Sequence, residues 1–362
     1  MISVRNLVKC YTRDVIAVKD VSFDVHQGEI VALLGPSGCG KTTVLRCIAG
    51  FERPTSGEIY IDERLVSSGD QGLLTPVENR GLGFVHQSYA LWPHLSVYRN
   101  LSYALELRKF PQKEIHQRVQ QTLELVRLGG YVDRLPSELS GGEQQRVALA
   151  RSLVYNPSAI LLDEPLSNLD AKLREQTRFE LRRLFKGLNI SALYVTHDQS
   201  EALAIADRCI VMEKGTIQQI GKPIELYIRP GSTFVADFMG SSNIFTGVVC
   251  PDDSKNVDLP WGSFRHGCVV PSDRKNEVVI CIRAKDISLG QDDPGRENTF
   301  QARIAVKTFA GDFYKFLITP VEKPEVEVLV HIYDYEKAIR MEEGDTVFVS
   351  FPPACCQVIG AP

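Results

Sequence analysis

The stretch EIVALLGPSGCGKTTVLRCIAG, Glu29 to Gly50, decides the fold. It opens with a short apolar run, Ile30 to Leu34, of strand length, and closes with Val44, Leu45 and Ile48 at helical spacing. Between the two lies G-x-x-x-x-G-K-T, from Gly35 to Thr42. Glycines at Gly35, Gly38 and Gly40 let backbone N–H groups turn inward around a polyphosphate, and the helix that follows aims the positive end of its dipole at the same point. In such a loop Lys41 reaches the β- and γ-phosphates and the Thr42 hydroxyl coordinates Mg²⁺. Cys39 fills a free position and needs no redox role.

A second segment, SAILLDEP from Ser158 to Pro165, is an apolar strand ending in two adjacent acids. At the carboxyl end of a strand in an open α/β sheet, both acids can reach the nucleotide crevice. Asp163 suits the Mg²⁺ shell, and Glu164 suits the acceptance of a proton from a water attacking the γ-phosphate. The competing reading is that both acids start a loop and face solvent.

A third segment, LSGGEQQRVALARS from Leu139 to Ser152, is an anion-binding helix start in a chain that already has one. Ser140 and Glu143 form a capping box ahead of Val147, Ala150, Leu153 and Val154. Capping explains the serine and the glutamate. It does not explain Gly141 and Gly142, each of which costs a helix about 1 kcal/mol relative to Ala unless something must approach the backbone closely. A phosphate held by another copy of the same domain meets that requirement, so the chain is expected to act as a pair.

Composition narrows the classes. With 44% hydrophobic and 24% charged residues, the sequence is that of an ordinary globular protein long enough for two or three domains. A net charge of −4 gives no global positive field to draw it to nucleic acid or an anionic membrane, so any anion must be held by local geometry. The start, MISVRNLVKCYTRD, has no signal-peptide pattern, and no run of about 18 apolar residues exists to span a membrane; a cytoplasmic protein is expected. Nine scattered cysteines with no CxxC pair read as reduced, mostly buried thiols.

From Met1 to Met239 strand-like runs alternate with helical patterns, which predicts an α/β domain with a largely parallel sheet. Inside it, Ser96 to Leu135 is rich in Leu, Gln, Arg and Glu at helical spacing and predicts an inserted helical subdomain over about 96–150. Beyond Gly240 the segments IFTGVV, EVVICIRAKDISLG, TFQARIAVKTF, YKFLITP, VEVLVHIY and DTVFVSF are short, β-branched and bounded by turns, predicting an all-β domain over 240–362.

These motifs, in this order, resemble the nucleotide-binding subunits of ATP-binding cassette (ABC) transporters over nearly the whole chain, with LSGGE resembling that family's signature. The resemblance implies a P-loop NTPase fold with a helical subdomain, ATP and Mg²⁺ as cofactors, and a head-to-tail dimer in which each ATP lies between one copy's phosphate loop and the other's signature. Gly35, Pro36, Ser37, Gly38, Cys39, Gly40, Lys41, Thr42 and Thr43 would then surround ATP, with Ser140, Gly141 and Gly142 on the partner's γ-phosphate. Tyr11 matches the aromatic that stacks on adenine, Gln87 the glutamine that touches Mg²⁺ and the attacking water, Asp170 the aspartate that crosses the dimer interface, and His197 the histidine at the γ-phosphate. Glu143 stands where the family more often has Gln.

Having no span of its own, the chain would drive integral permease subunits from the cytoplasmic face of the inner membrane, served indirectly by a periplasmic substrate-binding protein. Trp92, Pro93 and Tyr98 either border the permease groove or fill core. The β domain resembles the oligonucleotide/oligosaccharide-fold regulatory domain of importers for sugars, polyamines, sulfate, phosphonates and ferric iron; its usual Arg-Pro-Glu appears as Arg283-Ala284-Lys285. It has no basic stripe with interleaved aromatics, so no nucleic-acid partner is expected. HQSYALWPHLSVYRNLSYAL resembles the ferric-iron branch, making iron the expected cargo, with polyamine, sulfate, phosphonate or sugar as alternatives. The rival classes are a soluble cassette ATPase of DNA repair or translation, and a regulatory binding module that uses ATP structurally.

Overall fold

In the computed structural model, residues 1–12, 14–250, 253–267 and 277–359 are described. They divide into two compact units, Met1–Ile224 and Glu225–Pro362.

The first unit is built on two sheets. One is antiparallel and combines β1 (Ile2–Thr12), β2 (Val15–Val25), β4 (Ser56–Ile61), β5 (Arg64–Ser68) and β6 (Leu73–Leu74) in the order β2-β1-β4-β5-β6. The other combines β3 (Ile30–Leu34), β7 (Leu82–Val85), β8 (Ala159–Asp163), β9 (Ser191–Thr196), β10 (Arg208–Glu213) and β11 (Thr216–Gly221) in the order β11-β10-β3-β9-β8-β7. Every pairing from β10 to β7 is parallel, and β11 adds an antiparallel edge.

Strands β3, β8 and β9 are buried at every position, as continuous apolar runs covered on both faces must be. Alternate side chains serve different layers. Val31, Leu33, Leu161, Leu193 and Val195 pack with the antiparallel sheet and with helix α1 (Lys41–Ala49). Ile30, Ile160, Leu162, Ala192 and Tyr194 pack against Ala148, Leu149, Leu153, Leu181 and Phe185 from the helices on the far side.

The helical insertion contains α2 (Val97–Leu107) and α3 (Gln112–Leu125), which share a core with α4 (Gly141–Leu153). Val97, Leu101 and Leu105, spaced four apart, form the buried stripe of α2, and Ser96 caps it by accepting from the Arg99 N–H. Trp92 and Tyr98 are half-buried here, the former stacked edge-on to Tyr103 and beneath the Arg151 guanidinium, while Pro93 is exposed. Helices α5 (Ala171–Leu188) and α6 (Gln199–Ile205) complete the unit.

The second unit has two antiparallel sheets. The first is β14-β13-β12-β15-β21, from β12 (Ser242–Cys250), β13 (Asp253–Leu259), β14 (Gly262–Arg265), β15 (Glu277–Arg283) and β21 (Gln357–Ile359). The second is β16-β20-β17-β18-β19, from β16 (Ser288–Gly290), β17 (Thr299–Phe309), β18 (Tyr314–Pro320), β19 (Val328–Ile332) and β20 (Thr346–Ser350). Both contribute to one core, in which Trp261, Phe264, Ile280, Phe316 and Val349 are buried. The all-β texture read from the sequence is thus the architecture found.

The division falls earlier than the change of texture near Gly240. Residues 225–239 join the second unit because Arg283, nearly fully buried, holds them: its guanidinium donates to the Ala236 and Tyr227 carbonyls at 2.6 Å each and stacks over the Tyr227 ring. Among the described residues no helix is long and apolar enough to cross a membrane. The eight described cysteines form no disulfide; burial pushes the thiols of Cys47 and Cys209 up to about 12, while Cys268 lies outside the described residues.

Arg80 shows how the first unit is tied together. It is 2% exposed and its guanidinium donates to the Cys47 and Ile48 carbonyls at the end of α1, to the Ser67 hydroxyl and Val66 carbonyl of β5, and to the Thr75 carbonyl. Burial pulls its pKa down to about 10, so it stays charged at neutral pH. Arg80→Met removes all of these donated hydrogen bonds at once from a buried position and is expected to destabilise the protein by about 3 kcal/mol; an unchanged urea midpoint would refute this role.

Candidate active site

The parallel register brings the predicted residues to one edge. Leu34 of β3 lies opposite Thr196 of β9, Val195 of β9 opposite Asp163 of β8, and Leu162 of β8 opposite Val85 of β7. Four adjacent strands therefore end together, and the loops leaving them carry Gly35–Gly40, His197, Glu164 and Gln87.

In the phosphate loop, glycine is required at particular points. A Cβ on Gly35 would lie 2.3 Å from the Met212 carbonyl oxygen, and one on Gly40 2.4 Å from that of Ala17. Gly38 has open space beside it but a φ of +79°, in the left-handed region that favours glycine. Gly40 occupies the N-cap of α1 without any side-chain cap, so the first-turn N–H groups are left for a ligand to satisfy. Pro36 and Ser37 are exposed on the loop, and Cys39 is buried behind it, its thiol pKa raised by that burial. The Lys41 ammonium, 5% exposed, donates to the Gly35 and Pro36 carbonyls at 2.7 and 3.0 Å. The loop thus supplies its own acceptors for the cation. Tyr11 is half exposed, with its hydroxyl 3.4 Å from that of Thr43 and the Lys9 ammonium over its ring.

The Thr42 hydroxyl donates to the Asp163 carboxylate at 3.1 Å. Burial pushes the Asp163 carboxyl above the usual carboxylate range, with the Thr42 hydrogen bond opposing it. The Thr42, Asp163 and Gln87 side chains offer oxygen donors, the chemistry Mg²⁺ prefers. Among the described residues no group of three His, Cys, Asp or Glu could hold a metal alone. A cation here would complete its shell with phosphate and water oxygens, as Mg²⁺ in phosphoryl-transfer sites does.

Glu164 is the meeting point. One carboxylate oxygen lies 3.0 Å from His197 Nδ1, and the other accepts from Gln87 Nε2 at 3.2 Å. Its backbone adopts φ +44°, which is sparsely populated for a residue with a side chain, and is held there because its N–H donates to the Val195 carbonyl and its own carbonyl accepts from Ser167. Three residues far apart in sequence thus make one polar cluster beside Asp163 and Lys41. His197 and Gln87 remain exposed at the strand ends, accessible to a substrate.

Ser140 and Asp170 are helix caps. Ser140 caps α4 reciprocally with Glu143, whose carboxylate accepts from both the backbone N–H and the hydroxyl of Ser140 at 2.7 Å. Asp170 caps α5 by accepting from the Leu173 N–H. The structure adds a packing consideration to the argument from the two glycines. A Cβ on Gly142 would sit 3.0 Å from a terminal methyl of Leu173, which would have to shift by a few tenths of an ångström to make room. Gly141 has no such neighbour: its nearest contact would be an ordinary 3.7 Å. Packing thus bears on the buried Gly142, while Gly141 is exposed with room beside it.

Sequence reasoning missed the residues that link these loops. The Asn168 side chain donates to the Gln87 carbonyl at 2.7 Å, and Arg174 holds the Leu169 carbonyl at 2.9 Å. Both lie in LSNLDAKLR, Leu166 to Arg174, but only spatial proximity reveals their contacts.

Residues 18–167 match the ABC transporter family, and residues 280–359 match the TOBE domain. The trehalose/maltose import ATP-binding protein of Thermococcus litoralis is 50% identical over 254 residues, covering 70% of this chain and 67% of the relative. The spermidine/putrescine import ATP-binding protein of Thermobifida fusca is 41% identical, with 93% and 87% covered. The maltose/maltodextrin import ATP-binding protein of Escherichia coli K12 is 39% identical, with 99% and 95% covered. Among solved structures, a dimeric ATP-binding cassette in a post-hydrolysis state with ADP and Pi superposes with a TM-score of 0.53 at 32% identity, covering 61% of this chain and 98% of the other. The cbiO1 protein of Clostridium perfringens, part of an ABC transporter complex, gives 0.57 at 29% identity, covering 62% and 89%. Identity this high over nearly full length, on a cassette fold followed by a TOBE domain, means that the chain belongs to the ABC transporter family as an import ATPase.

Proposed function

We propose that two copies of this chain close head to tail around two ATP molecules and, on the cytoplasmic face of the inner membrane, drive integral permease subunits supplied by a periplasmic substrate-binding protein. The observation that carries the proposal is the convergence of Gln87, Glu164 and His197 beside Thr42, Asp163 and Lys41. A binding module that merely held ATP would have no need of a carboxylate backed by a histidine at the position of the attacking water.

In this reading Lys41 exchanges its two loop carbonyls for β- and γ-phosphate oxygens, and Tyr11 offers a face for the adenine. Thr42, Asp163 and Gln87 would hold Mg²⁺, which when bound neutralises phosphate charge. Glu164 accepts the proton of the attacking water, and His197 donates to the γ-phosphoryl group. Ser140, Gly141 and Gly142 contact the γ-phosphate held by the other copy, and Asp170 lies across the interface from its counterpart. Each γ-phosphate then joins groups from both chains, so hydrolysis removes the bridge and opens the pair.

For cargo, the relatives described above carry trehalose/maltose, maltose/maltodextrin and spermidine/putrescine in their names. They favour the sugar and polyamine alternatives over the ferric iron expected from the sequence. We take an α-linked glucoside as the cargo, on the relative at 50% identity, with polyamine as the second reading, on the one at 41% that covers more of the chain. A deletion strain complemented with wild type or Glu164→Gln, offered labelled maltose, trehalose, spermidine, putrescine and ferric iron, tests this. Loss of sugar uptake alone in the mutant supports the reading; loss of polyamine or iron uptake alone replaces it.

Two variants test the site. Glu164→Gln is expected to lower phosphate release at least about 100-fold while retaining ATP affinity and accumulating a closed dimer on size exclusion; turnover near wild type would discard Glu164 as the base. Asp163→Asn is expected to act in opposite directions on stability and binding. Burial raises the Asp163 pKa, so ionisation costs more in the folded chain than in the unfolded one; the cost is absent below the unfolded pKa and grows as pH rises through the folded one. The neutral variant should therefore melt higher at pH 7 without nucleotide, yet bind nucleotide with Mg²⁺ at least about tenfold more weakly.

A further inference from the structure

Helix α5 starts at the Asp170 cap and carries Arg174, Arg178, Arg182 and Lys186, spaced four apart and so on one face. That face grips the segment that follows His197. Arg174 Nη1 lies 3.7 Å from the Asp198 carboxylate and its Nε 3.9 Å from that of Glu201. Arg178 donates to the Ser200 hydroxyl at 2.9 Å, and Arg182 to the Ile205 carbonyl and, at 3.1 Å, to Asp207. Lys186 donates to Asp207 and to the Gly28 carbonyl.

The residues on either side of His197 are themselves fixed. The Asp198 N–H donates to the Thr196 hydroxyl at 3.0 Å, and that hydroxyl donates to Glu201 at 2.8 Å, beside the Tyr194 hydroxyl at 2.9 Å. Glu201 is 3% exposed, so its carboxylate needs these donors and a nearby cation. The cation facing it is Arg174, whose other end holds the Leu169 carbonyl immediately before Asp170. A closed circuit results. It runs from Glu164 to His197, through Asp198 to Arg174, back along Leu169 and Asn168 to Gln87, and from Gln87 to Glu164 again.

We propose that Arg174 is a positioning residue that closes this circuit, locking the His197 loop to the Asp170 loop so that His197 meets the γ-phosphoryl group only when the Asp170 loop is seated. The inference rests on the catalytic reading of Glu164 and His197 given above. The Arg174 guanidinium meets Asp198, Glu201 and the Leu169 carbonyl and lies one residue removed from His197, so its effect is on where His197 sits. Its loss should therefore lower turnover and leave nucleotide binding intact.

The test is steady-state ATP hydrolysis by the full chain, with fluorescent-nucleotide affinity and thermal melting, for wild type, Arg174→Met, Arg174→Lys and Glu164→Gln. Arg174→Met is expected to lower kcat about tenfold with KM and nucleotide affinity within about twofold of wild type, and Arg174→Lys, which retains a cation, to recover it to within about threefold. Unchanged kcat in Arg174→Met beside an inactive Glu164→Gln overturns the positioning role and leaves the catalytic reading standing. A loss confined to KM, or one that Lys fails to restore in a protein that melts like wild type, overturns it as well. Wild-type turnover by Glu164→Gln removes the reading and the inference together.

Discussion

The parallel ladder joining β3, β9, β8 and β7 is the constraint on which the rest of the first unit depends. Its main-chain bonds fix register, and register decides that the Gly35 loop, His197, Glu164 and Gln87 leave the sheet at the same edge. A slip of one residue between β8 and β9 would invert every side chain on the shifted strand and move Glu164 away from His197. Register is held because both faces are buried: alternate residues of each strand belong to different cores, so no shifted pairing leaves both cores filled.

The same edge concentrates charge in a partly dry place, and the chain arranges compensation before any nucleotide arrives. Lys41 is held by loop carbonyls, Asp163 by the Thr42 hydroxyl, and Glu164 by Gln87 and His197. These are exchangeable partners, since each is a neutral or weakly basic group that a phosphate oxygen, a cation or a water can replace. The positive φ of Glu164 is the local strain that goes with the arrangement, offset by hydrogen bonds at both its N–H and its carbonyl. Burial and exchangeability together make the site a receptive one.

In the second unit a single cation has an organising role of another kind. Arg283 opens the segment Arg283-Ala284-Lys285, and it is spent on structure: both guanidinium ends hold carbonyls of the preceding helical segment. That commitment moves the division between units ahead of the point where composition changes, because a hydrogen-bonded helix follows the partner that satisfies it rather than the texture of its own sequence.

Much of this was legible in the sequence. Continuous apolar runs marked the buried strands, the glycine spacing marked a phosphate loop, and Ser140 with Glu143 marked a capped helix, because each depends on residues adjacent along the chain. The strand–helix alternation of the first unit and the all-β character of the second followed from periodicity, whereas the cassette fold came from the resemblance that the motifs carry. What the sequence could not supply was any contact across strands or between helices. It offered a phosphate as the reason for Gly142 and gave no sign that the Leu173 side chain also packs close to that backbone. It left Asn168 and Arg174 without any assignment, although one ties Gln87 to the Asp170 loop and the other ties that loop to Asp198, beside His197. Local order is written in neighbouring residues, whereas the circuit around Glu164 joins positions 87, 164, 174 and 197 through packing and register, and those exist only once the sheet has formed.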